Sequence, residues 1–204
     1  MSLRLLIVVP LVLASACWNP RYFTPRERVD AYGPDREPAA SYVVPAAAAG
    51  APSVAEVRVW SQGARARFTE DDREVVELHV GFEVENNGAE ALQLDLPTVA
   101  LEDLMIDGVL QSPQVPLRVQ GDGVASGGQT ARVDLVFEVA ADRPSEIEGF
   151  TVRFQVKAGD RVALPQRTPF VPWFRSLPDE PYRGGFWGFG VGFGWHHHDP
   201  FFCR

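Results

Sequence analysis

Residues Val75 to Leu96 read VVELHVGFEVENNGAEALQLDL, and this stretch decides the fold. Leu78, Val80, Phe82 and Val84 alternate with Glu77, His79, Gly81, Glu83 and Glu85. Successive side chains of a strand point to opposite faces, so a period of two puts the aliphatic set on one face and the charged set on the other. Asn86-Asn87-Gly88 supplies turn chemistry, and alternation resumes with Leu92, Leu94 and Leu96 against Gln93 and Asp95. The pattern predicts a half-buried β-hairpin.

Strand signals continue on both sides at short spacing. Upstream, Val57 and Val59 alternate with Glu56, Arg58 and Trp60, a weaker segment covers residues 64–68, and Glu70-Asp71-Asp72 forms an acidic turn. Downstream, Val99 to Ile106 leads into Asp107-Gly108, a two-residue hairpin signal. Pro113 and Pro116 bracket an edge or loop, and the glycines from Gly121 to Gly128 mark a further loop. Val133, Leu135, Phe137 and Val139 form one more alternating set, and Phe150, Val152, Phe154 and Val156 another; residues 161–164 add a short last strand. No stretch has helical periodicity. About seven to nine short strands with regular turns predict an all-β domain, a single antiparallel β-sandwich of immunoglobulin-like type over residues 54–165.

The run Glu85-Asn86-Asn87-Gly88 returning through Leu92-Gln93-Leu94, with Gly127-Gly128-Gln129-Thr130 ahead of a late strand, resembles small bacterial extracytoplasmic immunoglobulin-like domains and the LEA/WHy type. The likeness is architectural, because the Cys…Trp…Cys pattern of true immunoglobulin domains is absent. It implies adhesion, assembly or spacing, and the fold alone does not choose among these.

The first residues bear on the compartment. Arg4 precedes the apolar run Leu5 to Leu13, and the small residues Ala14-Ser15-Ala16 follow. This is the layout of a signal peptide over residues 1–16, and its apolar run falls far short of the ~20 residues that span a bilayer. Leu13-Ala14-Ser15-Ala16-Cys17 resembles the lipobox of bacterial lipoproteins, although Ala14 stands where leucine is usual. The resemblance implies a lipid on Cys17. Trp18, rather than Asp, after the cysteine implies the outer membrane. Ala14-Ser15-Ala16 is equally a plain secretory cleavage site, which would leave a secreted or periplasmic protein able to pair Cys17 with Cys203, the other of its two cysteines.

Two proline-rich segments flank the expected domain. Residues 17–53 carry Pro20, Pro25, Pro34, Pro38, Pro45 and Pro52 among alanines and predict an extended linker, with Trp18, Tyr22, Phe23, Tyr32 and Tyr42 in partial contact with the domain. Residues 166–204 predict a tail. Within it Trp187, Phe189, Val191, Phe193 and Trp195 alternate with glycine at 188, 190, 192 and 194. Extended, that segment offers one aromatic face; alternate glycines make ordering it alone costly, so contact with a membrane or an envelope partner protein is the role it suggests.

Chemistry is scarce. Nucleophile elbow, phosphate loop, dinucleotide fingerprint and HExxH are all missing, so catalysis is not expected. A formal net charge of −8, or −9 once residues 1–16 and Arg4 are removed, disfavours nucleic acid, whose phosphates need a basic face. His79 reads as a surface histidine, Glu70-Asp71-Asp72 as a solvated turn, and Gly121-Asp122-Gly123 as a glycine turn. His196-His197-His198-Asp199 with Cys203 is where metal ligands gather: in a strand His196 and His198 share a face and could bind Zn²⁺ or Cu²⁺, with Asp199 or Cys203 completing the shell. Two functional expectations follow. The first is a non-catalytic envelope lipoprotein acting as a structural or interaction module; the alternative is an envelope protein that binds zinc or copper through its tail. Oligomeric state has no signature in the sequence.

Overall fold

The computed structural model describes residues 20–45 and 55–173. In chain order the strands are β1 (Tyr22–Pro25), β2 (Val29–Tyr32), β3 (Pro38–Val44), β4 (Ala55–Phe68), β5 (Glu74–Asn86), β6 (Leu92–Leu94) and β7 (Ala100–Ile106). There follow β8 (Val109–Leu110), β9 (Arg118–Gln120), β10 (Val124–Ala125), β11 (Thr130–Val139), β12 (Ile147–Ala158) and β13 (Arg161–Trp173). Two antiparallel sheets result, and the described residues contain no α-helix. One sheet has the order β2-β3-β4-β5-β11-β9. In the other, β1, β13 and β12 are neighbours, and the far edge of β12 is divided between β7, extended by β8, and β6, extended by β10.

The expected alternation holds in both sheets. Leu78, Val80, Phe82 and Val84 from β5 face Phe150, Val152, Phe154 and Val156 from β12, all at most 3% exposed. Each such side chain contributes about 1.5–3 kcal/mol by leaving water. Ring contacts bind the sheets together: Phe82 meets Phe154 edge to face at 5.0 Å, and Tyr42 meets the same ring at 5.9 Å. The Tyr42 hydroxyl lies 2.8 Å from Thr168 Oγ1 inside this core, so its polar end is satisfied.

The hairpin expected over Val75 to Leu96 is not formed, because β5 and β6 belong to different sheets. Leu92 and Leu94 are buried as expected, but they approach the core from the opposite side. Asn86 makes this crossing. Its side-chain amide donates to the carbonyls of Glu90 and Ala125, each at 2.8 Å, and its Oδ1 accepts the Gly88 N–H at 3.0 Å. That buried amide (1% exposed) holds an arch between sheets rather than a two-residue turn. The hairpin partner of β5 is β4, joined to it by the turn in which the Thr69 N–H donates to the Arg73 carbonyl. Asp107-Gly108 does form the tight turn its residues demand, with φ of +47° and +72° between paired Ile106 and Val109.

Both flanks expected to lie outside the sandwich supply strands. Between residues 17 and 53, the segments β1, β2 and β3 join the sheets, and Phe23, Ala40, Tyr42 and Val44 are at most 4% exposed. The bridge between Arg21 and Ala64 pins the start of β1 to the opposite sheet at a bulge where Gly63 has φ of +96°. At the other flank β13 runs to Trp173, through the stretch expected to begin the tail and far past the short strand expected at 161–164. Pro165 and Pro169 are tolerated within it for a geometric reason. The Pro169 carbonyl accepts the Arg26 N–H, so the missing N–H of Pro169 points to the β1 side, away from β12. Pro165, four residues earlier, faces the same side, below the level where β1 pairs, and so no ladder bond to β12 is lost.

The Phe23→Ala variant separates a spacer from a strand. Phe23 is fully buried and packs edge to face on Phe150 at 5.0 Å. Truncating it lowers unfolding free energy by about 3–5 kcal/mol in urea titration. An unchanged midpoint would return this segment to a linker.

Candidate functional site

The outward face of β4, β5, β9 and β11 carries a broad set of polar side chains, among them Glu77. Parity puts Glu77 on the solvent side, yet it is only 3% exposed. Arg118 from β9 donates to Glu77 Oε2 at 2.7 Å, and His79 Nε2 is 3.6 Å from the same oxygen. Arg67 Nε stands 2.9 Å from Oε1 but off the line of N–H donation, so that contact is coulombic. Cross-strand register assembles the group: Arg65 is opposite Glu77 on β4, and β9 reaches it across β11.

His79 is half-buried here. Burial pushes its pKa below the ordinary 6.5, and the nearby Arg65 guanidinium pushes the same way, while Glu77 draws it up. The imidazole is therefore neutral at neutral pH. A histidine beside a carboxylate is the start of a general-base pair, but both oxygens of Glu77 are held by arginines. The arrangement is a closed ion cluster.

Farther along the same face the charges also pair among themselves. Arg58 contacts Glu56 and Glu83 at 2.9 Å and Glu85 at 3.2 Å, and the Arg58 hydrogen bond, followed by that of Ser41, holds the Glu56 carboxyl below its usual range. Gln62 donates to Asp134 at 2.7 Å, and Arg132 contacts Asp134 as well. Trp60, expected to point into solvent with Arg58, is 1% exposed. It lies across Gly81, where a Cβ would come within 2.3 Å of the indole, and the Arg132 guanidinium stacks over it at 5.4 Å. The turn between β2 and β3 covers it, with Gly33 against the ring and Glu37 beside it. Alternation alone marked Trp60 and Glu77 as exposed; the glycine opposite Trp60 was the one sequence hint of its burial.

The remaining candidates resolve into turns. Glu70-Asp71-Asp72 is the exposed connection from β4 to β5, with Asp72 at φ +59°. Asp122 accepts the Val124 N–H at 3.1 Å and so shapes its own turn. A pocket of about 190 Å³ at the other end of the sandwich is lined by Val44, Leu92 and Ala158 with Glu90 and Arg161. Among the described residues no three His, Cys, Asp or Glu side chains converge as metal ligands. Cys17, Trp187, Phe189, Phe193, Trp195, His196, His198, Asp199 and Cys203 lie outside the described residues. No family model, no curated protein and no solved structure matches this chain.

The His79 environment sets a pH dependence. The folded pKa lies below the unfolded one, so between the two values the unfolded chain binds more protons and stability rises with pH. That contribution is complete above 6.5 and is lost as the pH falls below it. Urea midpoints of the wild type should therefore decline between about pH 7.5 and about pH 5.5 more steeply than those of His79→Gln. Parallel slopes, or an imidazole that titrates above 6.5 by NMR, would contradict the assigned environment.

Proposed function

We propose that this chain is a non-catalytic lipoprotein of the cell envelope, held at the outer membrane by a lipid on Cys17, with an immunoglobulin-like sandwich as a structural or protein-interaction module. The observation that carries this reading is Leu13-Ala14-Ser15-Ala16-Cys17 directly behind a basic and then apolar leader. A cysteine at that place has a chemical use, since its thiol is the acceptor for the lipid.

The sandwich surface supports a non-catalytic role. Its most buried carboxylate, Glu77, is held by Arg67 and Arg118, and the one histidine among the described residues, His79, lies against that same carboxylate. The position of β1 sharpens the picture. Four residues separate Cys17 from Tyr22, a reach of at most about 17 Å from Cys17 to the first strand. A lipid on Cys17 thus holds the sandwich close to the bilayer, where a spacer of more than thirty residues would have held it away.

Intact mass of the protein extracted from native membranes tests the anchor. The expected result is a chain beginning at residue 17 with a triacyl adduct, and a Cys17→Ser variant that is neither cleaved there nor acylated. An unmodified mass, above all one with a Cys17–Cys203 disulfide, would reject the lipoprotein reading.

A further inference from the structure

Residues 109–124 lace one side of the sandwich. Val109 and Leu110 extend the outer edge of β7, and the bridge between Gln114 and Leu101 holds the following residues along that edge. The chain then crosses to the other sheet, where the Leu117 N–H donates to the Val136 carbonyl and β9 pairs with β11. It returns at β10, whose Val124 pairs with Gln93 of β6. Among the described residues, β8, β9 and β10 each have a strand neighbour on one side only.

Six of the eleven large hydrophobic side chains exposed among the described residues belong to this one segment: Val109, Leu110, Val115, Leu117, Val119 and Val124. Apolar side chains scattered singly over a surface need no partner, but such a concentration marks a contact face. Val119 shows what is uncovered. It lies opposite Leu135, so the two side chains share one face of the sheet, and that face is the core. Leu135 is 1% exposed and Val119 46%, so at β9 the core face runs on past the cover of the opposite sheet.

We infer that this side is the interface of a symmetric dimer, in which a second copy of the chain covers the aliphatic side chains of residues 109–124. The pairing is independent of the lipoprotein reading. Charge decides where two copies can meet. The chain carries a net −8, so like copies repel over most of their surface. Residues 109–124 contain only Arg118 and Asp122, one charge of each sign, and Arg118 is bound to Glu77. A face of like aliphatics is also complementary to itself, as a two-fold axis requires. An added peptide strand fits less well, because β8, β9 and β10 are two or three residues long and Pro113 and Pro116 remove donors between them. The contact is therefore side chain on side chain.

The symmetry also suits the chain ends. Tyr22 lies opposite Trp173 and Phe150 opposite Phe170, so three residues farther along each strand Trp173 is level with Ile147. Ile147 pairs with Ile106, and Ile106 with Val109. The β4–β5 turn lies at this same end, beyond the Arg21–Ala64 bridge. A two-fold axis along the strands brings the laced sides together and leaves these ends of both copies pointing one way, as two lipid anchors in one bilayer would require.

Sedimentation equilibrium tests the pair, on the chain from residue 17 onward with Cys17→Ser and a reductant present so that no disulfide forms. The expected result is a reversible monomer–dimer equilibrium with a Kd on the order of tens of micromolar. Val115→Asp combined with Leu117→Asp sets like charges against each other across the axis and should weaken the dimer at least about tenfold. Val43→Asp combined with Val162→Asp makes the same change at exposed aliphatics elsewhere and should leave it unaltered. Hydrogen exchange of the chain without these substitutions gives a second reading: amides of residues 109–124 should exchange faster on dilution from dimer to monomer. If the first variant loses its urea midpoint, that exchange measurement decides. Monomer at every concentration up to about 1 mM overturns the inference, whether another protein or another part of the chain covers this side. A dimer that both double variants weaken alike, or whose dilution frees amides elsewhere and not these, overturns it as well.

Discussion

Phe82 and Phe154 meet edge to face between the two sheets, with ring centroids 5.0 Å apart, and the sandwich closes around that contact. Both rings are fully buried, and each belongs to a long central strand, β5 or β12, that pairs along both edges. Tyr42 packs on Phe154 from β3 and reaches Thr168 of β13 with its hydroxyl, so a strand from the proline-rich N-terminal segment completes the same cluster. A core of this kind is sensitive to missing volume: a void between two sheets forfeits dispersion contacts on both linings. Strands β1 and β3 and the end of β13, all outside residues 54–165, are therefore structural parts of the domain, since Phe23, Tyr42 and Phe170 supply rings that the central strands do not.

The sequence showed which residues face inward and left open which strands pair. Period-two alternation depends on one buried face, and that condition is the same in a hairpin and in an arch that crosses between sheets. Leu78 to Val84 and Leu92 to Leu94 were legible as core for this reason, while their assignment to one sheet was not. Asn86 decided the matter through two bonds to carbonyls, one of them 39 residues away, and no local pattern encodes that contact. Proline misled in a similar way. It forbids a ladder bond on one side of a strand only, so Pro165 and Pro169 are compatible with β13 because both face away from β12, its long partner. Proline spacing cannot say which side of a strand has a neighbour.

The outward face shows a different limit. Trp60 and Glu77 occupy positions that alternation assigns to solvent, and both are buried by neighbours from distant parts of the chain. Gly81 leaves the hollow in which the indole lies, and the turn carrying Gly33 and Glu37 closes over it. Glu77 is sheathed by arginines from β4 and β9 and by His79 of its own strand. A buried carboxylate leaves water favourably only when cations and donors replace its hydration, and two guanidiniums meet that need. Such a cluster specifies how β9 docks on β11, and it explains why a carboxylate and a histidine in contact need not be a reactive pair.

The termini give the fold a direction. Since Tyr22 and Trp173 are paired, whatever holds residues 17–19 also fixes where residues 174–204 begin. With a lipid at Cys17, the end bearing Val109, Leu110 and the β4–β5 turn faces the bilayer. The opposite end then points away from it: the arch after Asn86, the β12–β13 turn at Gly159 and the pocket between Leu92, Ala158 and Arg161. A linker of more than thirty residues would have left that orientation free, because a flexible tether averages over rotation. A stem of four residues limits the distance to about 17 Å and so narrows the range. If Cys17 carries a lipid, the side of the module turned to the bilayer thus follows from one strand pair that the prolines on either side make hard to see.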